Sequence, residues 1–324
     1  MARMVGVTVA AVARPRARRG GLRREESIWG WLLQIPNLIG LVVFAAGPLL
    51  ASFALIFAHW EIITPPTFAG LDNVNALFQD PLFVTALGNT AFITLISVPL
   101  YMALGLLLAL ALNQKLRGIG VYRVIFFLPS QIPSVANVVL WLWLFNPDYG
   151  LLNWALSTVH LPTSTWIQDP AMAKPALILL GVWGIGSGMI IYLAGLQGIP
   201  RELTEAAAID GAGTWHSFRH VTLPLLSPVI LFNLIIGIIQ TMQGGFTTTY
   251  LASSVGVHQA TDSAGPDNAL LILVLYIFHQ GFIDFNMGYA SLLAWVLFLV
   301  ILALTVLNFK LAGRWVHYEG QGRG

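Results

Sequence analysis

The sequence predicts an all-α protein that is embedded in a membrane and crosses it with six helices. Composition is the first observation: 57% of the 324 residues are apolar and only 9% are charged, whereas soluble domains have roughly a quarter charged residues. The second is that six apolar stretches reach the roughly 20 residues that a helix needs to cross a bilayer. A soluble enzyme is therefore excluded. The lack of Cys excludes disulfides and thiolate metal sites.

Prolines mark where several of the predicted spans should bend. We expect Pro36 and Pro48 to kink the first span, and Pro129 and Pro133 to break the third, because proline lacks the N–H group that a helix needs. A seventh apolar stretch, Ala269–Phe278, is too short to cross a bilayer, so we predict a half-embedded or re-entrant helix. The predicted spans are residues 32–58, 85–112, 124–145, 175–198, 228–252 and 288–309.

The placement of Lys and Arg predicts the orientation of these spans. If the N-terminus is cytoplasmic, 15 of the 16 basic residues lie on the cytoplasmic side and only Lys174 does not, as the positive-inside rule requires. Six spans with both termini in the cytoplasm follow. In the N-terminal tail the Arg cluster follows the short apolar run, the reverse of a signal peptide, and its charge favours contact with anionic lipid over nucleic acid. The expected layout is an Arg-rich cytoplasmic tail (1–28), a membrane domain (29–318) and a short C-terminal tail (319–324).

The residues missing from the spans narrow the classes of function. As drawn, no span contains Asp, Glu, Lys or Arg, which counts against a proton- or Na⁺-coupled carrier, although a secondary carrier remains an alternative. No Gly-rich phosphate-binding loop is present, so energy for uphill transport must come from another subunit. His216 and His220 lie four residues apart, but no nearby Glu completes a metal-hydrolase pattern. We predict no catalytic residue and no metal site, and thus a protein that is not itself an enzyme.

The loop between the fourth and fifth predicted spans, residues 199–228, carries a short helix with little side-chain bulk. Pro200 suits the first position of a helix, and Glu202 suits its positive N-terminus. Ala206–Ala208 favour helix while adding almost no volume. Such a helix is suited to close docking in a groove of a partner, although an Ala-rich helix by itself is also a common connector.

The same loop then turns sharply. Gly211 is expected to take a left-handed conformation that ends the first helix. Asp210 is expected to cap the next helix or to accept backbone N–H groups in the turn. A second, aromatic-bearing helix is predicted to begin near Thr214 and to stop before Pro224.

The loop contains E-A-A-x-x-D-G-A, followed by Phe, Leu-Pro and Pro at fixed distances. This pattern resembles the signature loop of binding-protein-dependent ABC importer permeases. Further stretches, among them YRVIFFLP (122–129) and WLWLFNPDYGLLN (141–153), are similar to the carbohydrate-uptake subfamily, and more to the first permease of its heterodimers than to the second. The resemblance covers about residues 30–318. The matching loop residues are Glu205, Ala206, Ala207, Asp210, Gly211, Ala212, Phe218, Leu223, Pro224 and Pro228.

The resemblance implies an importer of several subunits in a prokaryotic inner membrane. Two permeases would form the path, two ATPase subunits would use ATP and Mg²⁺ below it, and an extracytoplasmic binding protein would deliver a sugar or oligosaccharide. The helix at Glu205 would be the coupling helix that docks on the ATPase, and this chain would bind no cofactor itself. Glycerol-phosphate-like solutes are the alternative substrate class for the same machine.

Two spans carry candidate residues for the substrate path. The fifth span has Asn233, Gly237, Gln240 and Gly244 on one helical face, with Gln243 nearby. Amides can hydrogen-bond sugar hydroxyls, but amides and small residues also hold membrane helices together. The resemblance favours the path, because the family builds it from the fourth and fifth spans. In the fourth span the candidates are Trp183, Gly184, Ser187 and Gly188.

Overall fold

The computed structural model describes residues 19–114, 116–254 and 264–316, with side chains from residue 25 onward. It divides into two units, one ending at Ala54 and one beginning at Leu55. Two short antiparallel strands pair in the second unit, β1 (Ala58–His59) with β2 (Thr67–Phe68). The helices are α1 (Arg19–Leu41), α2 (Gly47–Leu55), α3 (Asp72–Gln79), α4 (Pro81–Leu112), α5 (Ile119–Phe127), α6 (Ser134–Leu144), α7 (Leu151–Thr158), α8 (Pro170–Val182), α9 (Gly186–Gly198), α10 (Arg201–Ile209), α11 (Thr214–Ser217), α12 (Leu223–Gln243), α13 (Phe246–Ser253), α14 (Leu273–Phe278) and α15 (Met287–Ala312).

The first unit is a single run of helix. A π-helical turn, Val42–Ala46, joins α1 to α2, and residues 25–55 are apolar enough to cross a membrane. No residue of the most apolar part of this run is buried, as expected for a helix whose neighbour is lipid. α1 begins at Arg19, within the segment 1–28 predicted to be the Arg-rich tail. Residues 1–18 of that tail and the C-terminal tail, 319–324, lie outside the described residues.

The second unit has three helices that are long and apolar enough to cross a membrane: α4, the helix that begins at Thr214, and α15. Two further spans are broken. The helix from Ile119 to Gln131 meets α6 at 96°, and α8 meets α9 at 48°. The break before α6 contains Pro133, whose extended backbone directly precedes the helix. The described residues therefore hold four spanning helices, or six if each bent pair counts as one span.

The fifth predicted span differs most from the expectation. The helix from Thr214 was predicted to stop before Pro224, but it continues through a π-helical turn, Phe218–Thr222, directly into α12. Proline is tolerated at the start of α12, where the displaced hydrogen-bond pattern of the π turn precedes it. At its other end, α12 stops at Gln243 because Gly245 has φ of +83°, and α13 continues beyond that break.

Lys174 lies within the first of the two helices that correspond to the fourth predicted span. α8 begins at Pro170, five residues before the predicted start of that span, and so includes Lys174. Its Nζ donates to Oδ1 of Asn89 at 2.9 Å and lies 5.6 Å from the ring centre of Phe92. The lysine is thus held by an amide and an aromatic face, which lower the cost of removing its ammonium group from water.

The centre of the second unit is the segment around α14. Leu270, Leu271, Leu273 and Leu275 are fully buried, and Leu273–Ile283 is an apolar helix too short to qualify as a span. This length agrees with the prediction that the stretch does not cross the membrane.

Asn89 and Thr90 of α4 hold the segment before α14 in place. The buried Asn89 side chain donates to the carbonyl groups of Asn268 and Leu271, at 2.9 and 3.0 Å. The Thr90 hydroxyl accepts from the backbone N–H of Leu273 at 2.9 Å. These bonds satisfy backbone groups that no regular helix covers, which is the condition for irregular chain at membrane depth.

Asp80 ties three helices together at the start of α4. Its Oδ1 caps α4 by accepting from the Leu82 N–H, and its Oδ2 accepts from the hydroxyl groups of Tyr276 and Tyr289, at 2.6 and 2.5 Å. Asp80 therefore joins α14 and α15 to the N-terminus of α4.

Candidate functional site

A cavity of about 310 Å³ lies between α4, α9 and α12. Six predicted path residues line it: Gly184 at the break before α9, Ser187 and Gly188 from α9, and Asn233, Gly237 and Gln240 from α12. The structure therefore brings together residues that are about 50 positions apart in the sequence. None of the residues lining this cavity is Asp, Glu, Lys, Arg or His. The cavity is suited to an uncharged solute.

Glycines set how closely the three helices approach around this cavity. A Cβ atom at Gly195 of α9 would lie 2.8 Å from Leu226 and 2.9 Å from Val229 of α12. A Cβ atom at Gly237 would lie 3.2 Å from Val98 of α4. Both distances are shorter than ordinary carbon–carbon contact, so larger residues there would push α12 away from its neighbours.

Two amide side chains, those of Asn233 and Gln240, provide hydrogen-bonding groups at the wall of this cavity. Asn233 donates its Nδ2 to the carbonyl of Val229 at 3.0 Å, and its Oδ1 faces Gly188, 3.9 Å from where a Cβ atom would stand. Gln240 is exposed, and within the described residues its amide has no hydrogen-bond partner. A carbonyl acceptor and an amide that both donates and accepts are the groups that recognise hydroxyls.

Three predicted path residues, Trp183, Gln243 and Gly244, lie outside the cavity. Trp183 stands at the break between α8 and α9 and packs edge-on against Trp141, with ring centres 6.2 Å apart. Gln243 is the last residue of α12 and is exposed, but it does not line the cavity. The helical turn places Gln243 about 60° away from the face of Gln240 and one turn beyond it, which accounts for the difference.

A second cavity of about 220 Å³ adjoins the first and was not anticipated from the sequence. The two share Tyr101, Gly181 and Thr241. The Tyr101 ring occupies the space that Gly181 leaves, and its hydroxyl donates to the carbonyl of Ile178 at 2.8 Å. The hydroxyl group of Ser97 is fully buried at this second cavity, with no hydrogen-bond partner in the described part of the chain.

The signal for this second cavity is present in the sequence. Thr90, Thr94, Ser97 and Tyr101 recur at i, i+4, i+7 and i+11 along an otherwise apolar span, which is the spacing of one helical face. The same spacing identified the polar face of the fifth span.

The second candidate site is the loop that begins at α10. Gly211 has φ of +83° and donates its N–H to the carbonyl of Ala208, and Ala212 donates to Ala207, at 3.1 and 2.9 Å. These two bonds form a Schellman motif, in which a left-handed glycine closes the last helical turn. The predicted role of Gly211 as the helix terminator is confirmed.

Asp210 was expected to cap the second helix of the loop or to accept backbone N–H groups in the turn, and its side chain does neither. The helix that follows begins after Gly213 and has no side-chain cap. Within the described residues, the Asp210 carboxylate accepts no hydrogen bond, and its side chain is exposed. The left-handed glycine already satisfies the turn with backbone groups, so the carboxylate is left free at the surface.

The outward side of this loop is exposed and largely apolar. Ile209 is 87% exposed and Trp215 is 71% exposed, with the Trp215 ring 5.7 Å from that of Phe218. Glu205 and Ala206 are exposed, and Ala207 and Ala212 are half-buried. Leu223 and Pro224, in contrast, form the first turn of α12 and are half-buried. The most exposed large apolar side chains of the loop, Ile209 and Trp215, thus flank the turn at Gly211.

Over most of its length the chain is similar to known membrane components of transport systems. The family described as "Binding-protein-dependent transport system inner membrane component" matches residues 101–315. The lactose transport system permease protein LacF of Rhizobium radiobacter is 34% identical over 300 residues, which are 91% of this chain and 97% of the relative. The sn-glycerol-3-phosphate transport system permease protein UgpA of Yersinia enterocolitica is 31% identical over 296 residues, 89% of this chain and 95% of the relative.

One solved structure has the same fold. It is a chain of a bacterial alginate ABC transporter, crystallised in complex with an alginate pentasaccharide-bound periplasmic protein. The TM-score is 0.76, and the match covers 90% of this chain and 96% of that chain at 24% sequence identity. At this identity the likeness is one of fold.

Proposed function

Because the chain belongs to the family of binding-protein-dependent transport system inner membrane components, we propose that it is a permease subunit of an ATP-driven importer. In this function it forms part of the translocation path for a sugar or oligosaccharide. The observation that carries the proposal is the uncharged cavity between α4, α9 and α12, with the amides of Asn233 and Gln240 at its wall. A neutral polyhydroxylated solute can exchange its water for these groups without any charge being left unpaired.

The chain is a multi-pass membrane protein with several apolar helices. We propose in addition that it crosses a prokaryotic cell membrane six times, with both termini in the cytoplasm. Each bent pair of helices would then count as one span, and α10 would face the cytoplasm. The placement of 15 of the 16 basic residues on one side supports this arrangement.

The proposed partners follow from the family and from the shape of the loop. An extracytoplasmic binding protein would deliver the solute, as the family description indicates. A second permease would complete the path, and ATPase subunits would hydrolyse ATP with Mg²⁺. Glu205, Ala206 and the turn at Gly211 would form the docking surface for the ATPase, because this side of α10 is exposed. This chain supplies a path and a docking helix; neither task needs a cofactor of its own.

A glycerol-phosphate-like solute is the second candidate substrate, and the 31% identity to UgpA favours it. Lys174 is a positive charge within α8, although it does not line the cavity between α4, α9 and α12. The 34% identity to LacF and the uncharged cavity wall support a sugar instead.

Affinity purification tests the proposal. The tagged full chain is solubilised gently from native membranes, and the proteins that co-purify are identified by mass spectrometry. We expect an ABC ATPase, a second permease of similar length and an extracytoplasmic binding protein. That binding protein is then titrated with lactose, a set of neutral oligosaccharides and glycerol 3-phosphate. Tight binding of glycerol 3-phosphate alone would select the second candidate.

Recovery of the intact, folded chain without an ATPase, in several mild detergents, would contradict the proposal. A secondary carrier would then be the better description. As a control, the variant Ile209→Asp places a charge on the exposed side of α10 and should reduce recovery of the ATPase while the second permease is retained.

A further inference from the structure

A third cavity is larger than the one assigned to the solute. It has a volume of about 930 Å³ and lies between the C-terminal ends of α4 and α9, the start of α5, and α10 with the turn that follows it. Gln197 of α9 lines it, nine residues beyond Gly188 of the solute cavity. At 1.5 Å per residue the two positions are roughly 14 Å apart along the helix. The two cavities share no residue.

The charged residues that line this cavity are all of one sign. They are Arg123 and Arg201, and no Asp, Glu, Lys or His among the described residues accompanies them. The remaining polar lining consists of amides and hydroxyls, including Asn113, Gln197 and Thr204. A concave surface with two guanidinium groups and many neutral donors favours an anion.

The two faces of α10 explain why the cavity lacks carboxylates. Arg201, Thr204 and Ala208 lie at i, i+3 and i+7 and line the cavity. Glu202 and Glu205 are rotated about 130° and about 70° from the middle of that face and do not line the cavity. The basic residue of this helix therefore lines the cavity, and its two carboxylates do not.

Neither Arg123 nor Arg201 forms an ion pair with an Asp or Glu in the part of the chain that the structure describes. Arg201 is the first residue of α10, where the positive end of the helix dipole disfavours a cation. An anion from outside the chain would relieve both the missing partner and the unfavourable end of the helix.

Arg123 is held in a fixed position. Its Nε and Nη2 both donate to the carbonyl of Leu112 at the end of α4, at 3.3 and 2.9 Å. A guanidinium group has five N–H donors, so three remain for a ligand. The donors of Arg123 are thus oriented before anything binds, which reduces the entropy lost on binding.

From these observations we propose that this cavity binds a phosphate-bearing molecule. Two guanidinium groups match the charge of a phosphate group and can each donate two hydrogen bonds to it. The volume exceeds that of a phosphate ion and lies in the range of pockets for small metabolites. The phosphate group has two possible sources, a phosphorylated sugar in solution or the headgroup of an anionic lipid. This inference goes beyond the proposed function, and its test requires no transport.

The site can be tested on the full chain in nanodiscs. In the first arm the nanodiscs contain only phosphatidylcholine, and glucose 6-phosphate is titrated by calorimetry, with glucose as the uncharged control. In the second arm the nanodiscs contain phosphatidylglycerol, and native mass spectrometry counts the molecules of that lipid retained on the released protein. The variant is Arg201→Gln, which removes one charge without removing a hydrogen bond of the folded chain. Arg219→Gln is the matched control, since Arg219 is exposed, lies in the same loop and does not line the cavity.

We expect Arg201→Gln to weaken binding of one of the two probes at least tenfold, and Arg219→Gln to change it less than twofold. Loss of glucose 6-phosphate binding identifies a soluble ligand, and loss of retained phosphatidylglycerol identifies a lipid. Arg123→Lys provides a second variant, because it keeps the charge and removes the fork of donors; it should weaken binding in the same arm. The proposal is overturned if neither probe binds the unaltered chain, or if Arg219→Gln has as large an effect as Arg201→Gln.

Discussion

Gly211 is the residue on which the conformation of the exposed loop depends. Its φ of +83° is a conformation that other L-residues adopt only with strain, and a Cβ atom there would meet nothing within 4 Å. Gly213, two residues later, has φ of −67° and an equally open surrounding. The two glycines thus differ in backbone conformation and not in available space, which makes them a matched pair.

The first prediction at this scale concerns Gly211→Ala. A left-handed Ala costs roughly 1–2 kcal/mol, so the turn between α10 and the next helix should open or shift its register. In the reconstituted importer, we expect solute uptake to fall at least fivefold while ATP hydrolysis stays within twofold, since the movement of the ATPase would no longer reach the spans. Gly213→Ala should leave both rates unchanged. Equal uptake per ATP hydrolysed in the two variants would refute the role given to Gly211.

Single residues also mark where sequence-based reasoning succeeds and where it fails. The conformation of Gly211 was predictable, because it depends on neighbours within one turn. The position of Lys174 was not, since it depends on Asn89, 85 residues earlier in the chain. Without that amide and the ring of Phe92, placing the lysine outside the span was the reasonable expectation. Asp210 was given a capping role that backbone bonds alone fulfil.

At the scale of a helix, α12 has one face that lines the solute cavity and one that does not. Asn233, Gly237 and Gln240 are on the first, and Gln243 is beyond it. We predict that Asn233→Leu and Gln240→Leu each raise the KM of uptake roughly two- to tenfold, because a net hydrogen bond contributes about 0.5–1.5 kcal/mol. Gln243→Leu removes the same amide from an exposed position and should change KM less than twofold.

The measurement is uptake by proteoliposomes at several solute concentrations, with the amount of assembled complex determined for each variant. Three equal effects, or an effect confined to Gln243→Leu, would remove α12 from the path. If kcat falls and KM is unchanged for Gln240→Leu, the amide would act in the movement of the helix and not in contact with the solute.

The boundaries of helices were predictable only where the chain itself signals them. Apolar length located α4 and α15 to within a few residues. The π turn at Phe218–Thr222 and the stop of α12 before Gly245 were not foreseen. No amino-acid composition is typical of a π turn, so the sequence does not predict one. A proline that follows a π turn does not end the helix as it would inside a regular α-helix. The polar face of Thr90, Thr94, Ser97 and Tyr101 was visible in the sequence, but only the fold gives it a cavity.

At the scale of the whole molecule, the fold class was predictable from composition, since 57% apolar and 9% charged residues leave few alternatives. The cavities were not, because each is formed by helices that are distant in the sequence. In the two cavities to which a ligand is assigned, the charge of the wall matches the charge of the proposed ligand. The wall between α4, α9 and α12 is uncharged, and the wall beside α10 carries two arginines.

The last prediction concerns the membrane topology, and the absence of Cys from the chain makes it directly testable. Single cysteines are introduced at four exposed positions, Asn75, Arg117, Thr163 and Arg314, and intact cells are treated with a membrane-impermeant maleimide. With six spans and a cytoplasmic N-terminus, Asn75→Cys and Thr163→Cys are labelled from outside. Arg117→Cys and Arg314→Cys are labelled only after the membrane is opened. Labelling of Arg314→Cys in intact cells would require an odd number of crossings between it and Arg117. One of the two bent helix pairs would then be a re-entrant turn and not a kinked span: either the pair that bends by 96° before α6 or the pair that bends by 48° after α8.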